Sequence, residues 1–178
     1  VSALLRAATD AFDARGLCRA TVSGGSTPTL YQSHLIAEGT EIRAGTCVYN
    51  DLNIVRGGFG SLDGCAASVV ATVVSDAVAG QVILDAGSKS LTMDRCGPAP
   101  DSGHGLVVEY PDAIVAKLTE EHAQVDVTRC DVRPRVGERV TVIPNHVCPV
   151  VNLFDRAWWH EVDGSLAVLP IDARGLLS

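Results

Sequence analysis

The run Ser68-Val69-Val70-Ala71-Thr72-Val73-Val74 constrains the fold more than any other stretch of this sequence. It is β-branched and apolar at successive positions, the pattern of a strand buried on both faces. Val82-Ile83-Leu84-Asp85-Ala86-Gly87 is a second such segment. Further strand candidates are Gly105 to Tyr110, Ala113 to Lys117, Gln124 to Thr128, Arg139 to Ile143 and Leu166 to Ile171. Turn signals such as Arg133-Pro134 and Asp163-Gly164 separate them. Residues 56–178 are therefore expected to form an antiparallel β-domain.

Residues 1–55 have a different character. Leu4, Leu5, Ala8 and Phe12 fall on one helical face, and Gly16 follows as a stop signal. Arg19 to Ser23 reads as a short strand, the turn 24–29 follows, and Leu30 to Ala37 suits a helix closed by Gly39. A second strand, Glu41 to Tyr49, ends at Asn50-Asp51. This α-β-α-β order predicts parallel strands with a helical crossover. Two parallel strands cannot cover their own edges and faces. The chain thus reads as the second half of something longer.

Composition narrows the function classes. A formal charge of −7, scattered arginines and 4% aromatic residues exclude a basic, aromatic nucleic-acid surface. No apolar run approaches the ~20 residues needed to cross a bilayer, and residues 1–6 lack the shape of a signal peptide. Six cysteines without a C-x-x-C pair are expected to be reduced, buried thiols of a cytoplasmic protein.

Two groups of residues carry chemistry. Pro144-Asn145-His146-Val147-Cys148-Pro149 sets an imidazole and a thiol two positions apart, in what reads as the end of a strand. Residues so spaced on a strand share a face, so His146 and Cys148 are candidate ligands for a borderline-soft metal such as zinc. A buried thiol beside a half-buried histidine is the alternative. Ser23-Gly24-Gly25-Ser26-Thr27 joins a strand end to a helix start, where glycines admit a ligand and the helix N-terminus favours an anion. Taken alone, it reads sooner as a plain N-cap by Ser26 or Thr27, with Pro28 in the first turn. Arg43-Ala44-Gly45-Thr46 stands at the matching end of the next strand, and paired strand ends of this kind build phosphate sites in barrel enzymes.

Five blocks lie in order along the chain: residues 23–29, 41–51, 84–91, 118–122 and 144–149, the last reading Pro-Asn-His-Val-Cys-Pro. Through them the chain resembles the C-terminal part of the D-threonine aldolase / D-serine dehydratase family. Such proteins combine an alanine-racemase-like (β/α)8 barrel (a TIM barrel) that binds pyridoxal 5'-phosphate with a β-domain. The resemblance implies that residues 1–55 are the last strand–helix–strand part of that barrel and residues 56–178 the β-domain with the metal motif. It implies Gly25, Ser26, Gly45 and Thr46 on the cofactor phosphate, Tyr49 lining the cofactor pocket, and His146 and Cys148 on a divalent metal, zinc or manganese. The implied activity is that of a lyase on small D-3-hydroxy amino acids. The sulfur ligand tilts the expectation toward the dehydratase branch.

Lys89 and Lys117 are the only lysines, and neither matches the family's Schiff-base lysine, which belongs to the first barrel strand. No catalytic residue is thus expected within this chain, which alone should be inactive. Its implied partners are the missing N-terminal half of the barrel and a second copy in a homodimer, with neither nucleic acid nor membrane. A non-catalytic metal-binding or dimerisation β-domain and a pyridoxal-phosphate racemase are the competing readings. Lys89 is expected to pair with a carboxylate, Asp85 to serve a turn or domain interface, and His122 to sit on a solvated loop. His104 is expected at the surface or on a mobile loop. Trp158 and Trp159 are expected to supply one core and one interface side chain.

Overall fold

The computed structural model describes residues 1–97 and 102–176, which divide into two compact units, 1–48 and 49–178. In the first unit, helix α1 (Ser2–Asp13) ends before Gly16, whose φ of 66° suits the glycine there. Strands β1 (Ser23–Gly24) and β2 (Glu41–Ile42) pair in parallel, Ser23 opposite Glu41 and Gly24 opposite Ile42. Arg43 N adds a hydrogen bond to Gly24 O at 3.0 Å. The expected strands 19–23 and 41–49 shrink to two residues each, because this pair has no further described strand to extend its ladder. The expected helix 30–37 is a 3-10 helix at Thr27–Leu35, begun earlier by the Ser26/Thr29 capping box. A second 3-10 turn, Thr46–Val48, replaces the end of the expected second strand.

The second unit opens with helix α2 (Leu52–Arg56) and a 3-10 turn, Leu62–Gly64. Strands β3 (Val69–Ser75) and β4 (Gln81–Leu84) follow, then helix α3 (Ser88–Leu91). Next come β5 (Leu106–Val107), β6 (Ile114–Leu118), β7 (Ala123–Asp126) and β8 (Arg139–Ile143). Helix α4 (Val147–Leu153) leads to a hairpin of β9 (Arg156–His160) and β10 (Leu166–Pro170). Strands β3 to β8 form one antiparallel sheet in the order β5-β8-β3-β4-β7-β6. His104 N, just before β5, donates to Val115 O of β6 at 2.9 Å, so the two edges of the sheet curl toward each other.

One face of this sheet makes the core. Val73, Leu84, Val115, Val125, Val140 and Val142 are at most 1% exposed, and burying such side chains stabilises by about 1.5–3 kcal/mol each. The expectation that residues 68–74 are buried on both faces holds for one face only. Ala71 and Val73 point inward, while Val70 is 64% and Val74 43% exposed. The tryptophans depart from expectation too: both lie on β9, and neither joins the core. No cysteine is buried either, although none forms a disulfide.

Two of the five sequence blocks prove to be one structural device. Ser88 N donates to Thr119 O at 2.8 Å and Lys89 N to Glu120 O at 3.1 Å, so the start of α3 lies against the β6–β7 turn. Gly87 permits this approach: a Cβ there would stand 2.3 Å from Glu120 O. Lys89 Nζ pairs with Glu121, as expected of a lysine beside a carboxylate. Asp85 Oδ1 accepts from Thr72 N at 2.6 Å, fastening β4 to β3. His122 is exposed, as expected.

Among the described residues no helix is long and apolar enough to cross a membrane.

Candidate functional site

The His-x-Cys motif sits differently from its sequence expectation. β8 ends at Ile143; His146 is the extended N-cap of α4, and Cys148 lies in that helix's first turn. The shared-face argument for a strand therefore does not apply. Pro149 is harmless there, because first-turn N–H groups have no partner within the helix. The His146 side chain is half-exposed and Cys148 is exposed.

His146 makes no side-chain cap of its own helix. The cap comes from far along the chain. Asp51, 1% exposed, accepts from Val147 N through Oδ2 at 3.0 Å and from Ile54 N through Oδ1 at 3.1 Å. One carboxylate thus caps both α2 and α4. Leu52 N and Asn53 N donate to Pro144 O and Asn145 O at 3.2 and 3.1 Å. The segment carrying the motif is held against the start of α2 by three hydrogen bonds between main chain and carboxylate or carbonyl.

A second support comes from the chain before β5. Asn145 is 1% exposed, and its Nδ2 donates to Asp94 O at 2.9 Å and Gly103 O at 2.8 Å. His104, expected at the surface, is 2% exposed. Its flanking glycines explain the difference. A Cβ at Gly103 would lie 2.8 Å from Val115 O, and one at Gly105 2.7 Å from Val142 Cγ1. Burial pushes the His104 imidazole below its ordinary value, and Arg95 adds to the effect. Beside this framework, His146 Nδ1 lies 3.5 Å from Asp94 Oδ2. Among the described residues no three His, Cys, Asp or Glu side chains converge as a complete metal cage. An imidazole nitrogen and a sulfur nonetheless fit a zinc-like ion whose remaining positions are open.

The phosphate candidates occupy the first unit. Gly25, with φ 82°, and Ser26 follow β1, and Gly45 and Thr46 follow β2. Cys47 N donates to Thr27 Oγ1 at 3.0 Å, binding the two turns together. A Cβ at Gly24 or Gly45 would meet nothing within 4 Å, and one at Gly25 would touch Ser33, Thr29 and Ile42 at ordinary contact distance. Ser26 N is engaged by Thr29 Oγ1 at 3.0 Å. Tyr49 belongs to the second unit, half-buried, with its carbonyl accepting from Ala66 N at 2.7 Å.

Asp51, Asp94 and Asn145 are the residues that sequence reasoning missed. A signal existed for the first: Asn50-Asp51 before Leu-Asn-Ile-Val-Arg is an N-cap pattern. Nothing local marks Asp94, which meets His146 through the fold alone.

Residues 66–159 match the family described as the "Putative serine dehydratase domain", and the chain belongs to that family. Among its relatives, an uncharacterised protein of Mycobacterium tuberculosis is 46% identical over 51% of this chain and 69% of its own length. The D-threo-3-hydroxyaspartate dehydratase of Delftia sp. (strain HT23) is 33% identical, over 89% of this chain and 46% of the enzyme. Its solved structure superposes with a TM-score of 0.76 at 29% identity, over 92% of this chain and 47% of that one. A cysteine-to-alanine variant of such a dehydratase, solved in the metal-free form, gives 0.74 at 27% identity, over 90% and 46%. The D-threonine aldolase of an Arthrobacter species is 32% identical over 79% of this chain and 36% of the enzyme. The chain spans about half the length, or less, of the enzymes it matches.

Proposed function

We propose that this chain is the C-terminal part of a pyridoxal-phosphate- and divalent-metal-dependent lyase acting on small D-3-hydroxy amino acids. Residues 1–55 would close the cofactor barrel and residues 56–178 would bring the metal ligands. The observation that carries the reading is His146 and Cys148 at the capped start of α4, half-exposed and exposed, on a framework of Asp51 and Asn145. When bound, pyridoxal phosphate supplies an electron sink for the amino acid, and the divalent ion supplies Lewis acidity at its β-hydroxyl.

The chain's own residues hold and orient. His146 and Cys148 ligate the ion and leave its other positions to water and substrate. Gly25 and Gly45 present main-chain N–H groups to the phosphate, Ser26 and Thr46 present hydroxyls, and Tyr49 borders the cofactor. Cys148 as a sulfur ligand favours the dehydratase branch over the aldolase branch. The cofactor lysine and the remaining barrel strands lie outside these residues, and the assembled protein is a cytoplasmic homodimer.

The test is turnover of D-threo-3-hydroxyaspartate, D-serine and D-threonine by the intact protein, before and after chelation and after re-addition of Zn²⁺ or Mn²⁺. Metal-restored release of ammonia with a 2-oxo acid supports a dehydratase, and release of glycine with an aldehyde supports an aldolase. Turnover that survives both chelation and His146→Ala overturns the metal assignment.

A further inference from the structure

We propose that Asp94 is a positioning residue for His146: its carboxylate takes the Nδ1–H of the imidazole and presents Nε2 to the metal. This role rests on His146 being a metal ligand, as proposed above. Asp94 Oδ2 lies 3.5 Å from Nδ1, within ion-pair reach and longer than a formed hydrogen bond, on the side from which a carboxylate fixes a ligating histidine's tautomer. Hydrogen bonds of this kind tighten when a site is loaded.

Three features place Asp94 there. Thr92 Oγ1 donates to the same Oδ2 at 3.1 Å. Thr92 itself has φ 63° and ψ 173°, a strained conformation that is otherwise almost confined to glycine. Such strain persists only where surrounding contacts hold it, and here the strained residue aims its hydroxyl at Asp94. Asn145, the neighbour of His146, ties the Asp94 carbonyl to its own amide at 2.9 Å. The distance between residues 94 and 146 is thus set from both ends. The Asp94 side chain is 46% exposed, so its role is not that of a core residue.

The experiment is a Co²⁺ titration of the protein and of Asp94→Ala, Asp94→Asn and His146→Ala, followed by the thiolate-to-cobalt charge-transfer band. Nitrogen-15 NMR of the His146 ring without metal accompanies it. Asp94→Ala is expected to weaken Co²⁺ binding about 10–100-fold while retaining the Cys148 band, and to shift the ring away from the Nδ1–H tautomer. Asp94→Asn, which keeps one acceptor oxygen, is expected between the two. An Asp94→Ala protein that binds Co²⁺ as tightly as the parent, or whose His146 tautomer is unchanged, overturns the role. A parent protein with no cobalt–thiolate band, or binding that survives His146→Ala, overturns the metal site itself, and the positioning role falls with it.

Discussion

Asp51 Oδ2 accepts a hydrogen bond from Val147 N at 3.0 Å, across 96 positions of sequence, and this contact anchors the first turn of α4. Removing the carboxylate leaves two buried helix-terminal N–H groups without a partner. Asp51→Ala is therefore expected to cost about 2–4 kcal/mol, from two lost caps and their desolvation, measured by urea denaturation. Because His146 and Cys148 flank Val147, Co²⁺ affinity should fall as well. A variant as stable as the parent contradicts the double cap.

Gly87→Ala sets a methyl group against Thr119 O and Glu120 O at 2.4 and 2.3 Å. Those atoms are main chain and cannot swing aside. The expected outcome is separation of α3 from the β6–β7 turn, with a loss of about 1–3 kcal/mol. Hydrogen exchange at the Ser88 and Lys89 amides, which donate across that contact, should rise.

Tyr110 Oη donates to Glu138 Oε1 at 2.6 Å, and this bond, with burial added, pushes the phenol up to about 12. The same bond holds the Glu138 carboxyl below its usual value. A phenol raised in the folded state stabilises below its ordinary pKa of 10, and that contribution fades as pH rises from there through about 12. A lowered carboxyl stabilises above its ordinary 4.5, and its contribution fades as pH falls below that. Tyr110→Phe should thus remove a late step from the ultraviolet phenolate titration and flatten stability at both extremes.

His104 gives a third pH dependence, with the sign of Glu138 and opposite to that of Tyr110. Its folded-state pKa lies below the ordinary 6.5, so the unfolded chain takes up a proton before the folded one does. Stability from this group is complete above about pH 6.5 and declines as pH falls toward the lowered value. Urea midpoints at pH 7.5 and 5.5 should differ less in His104→Gln than in the parent. An unchanged difference rules out a buried neutral imidazole.

How much of this was legible in the sequence depended on periodicity. Arg139–Ile143 was legible to the residue because its valines alternate with polar positions, and β6, β7 and β10 nearly so. β9 was not, since Trp158-Trp159 breaks the alternation. The motif at 146–148 was visible as chemistry but misplaced as a strand, because the cap that starts α4 belongs to Asp51 and not to a neighbour in sequence. His104 was misjudged for a related reason. Two flanking glycines look like a mobile loop, and only the backbone of β6 and the side chain of Val142 show that they are clearances.

The protein's two tryptophans, Trp158 and Trp159, are 63% and 50% exposed on one hairpin. Tryptophan fluorescence, excited selectively over the tyrosines, is consequently a reporter of that hairpin. Quenching or a wavelength shift will register whatever comes to lie on β9 and pass over the state of the valine-filled sheet, whose unfolding has to be followed by circular dichroism or by its own amides.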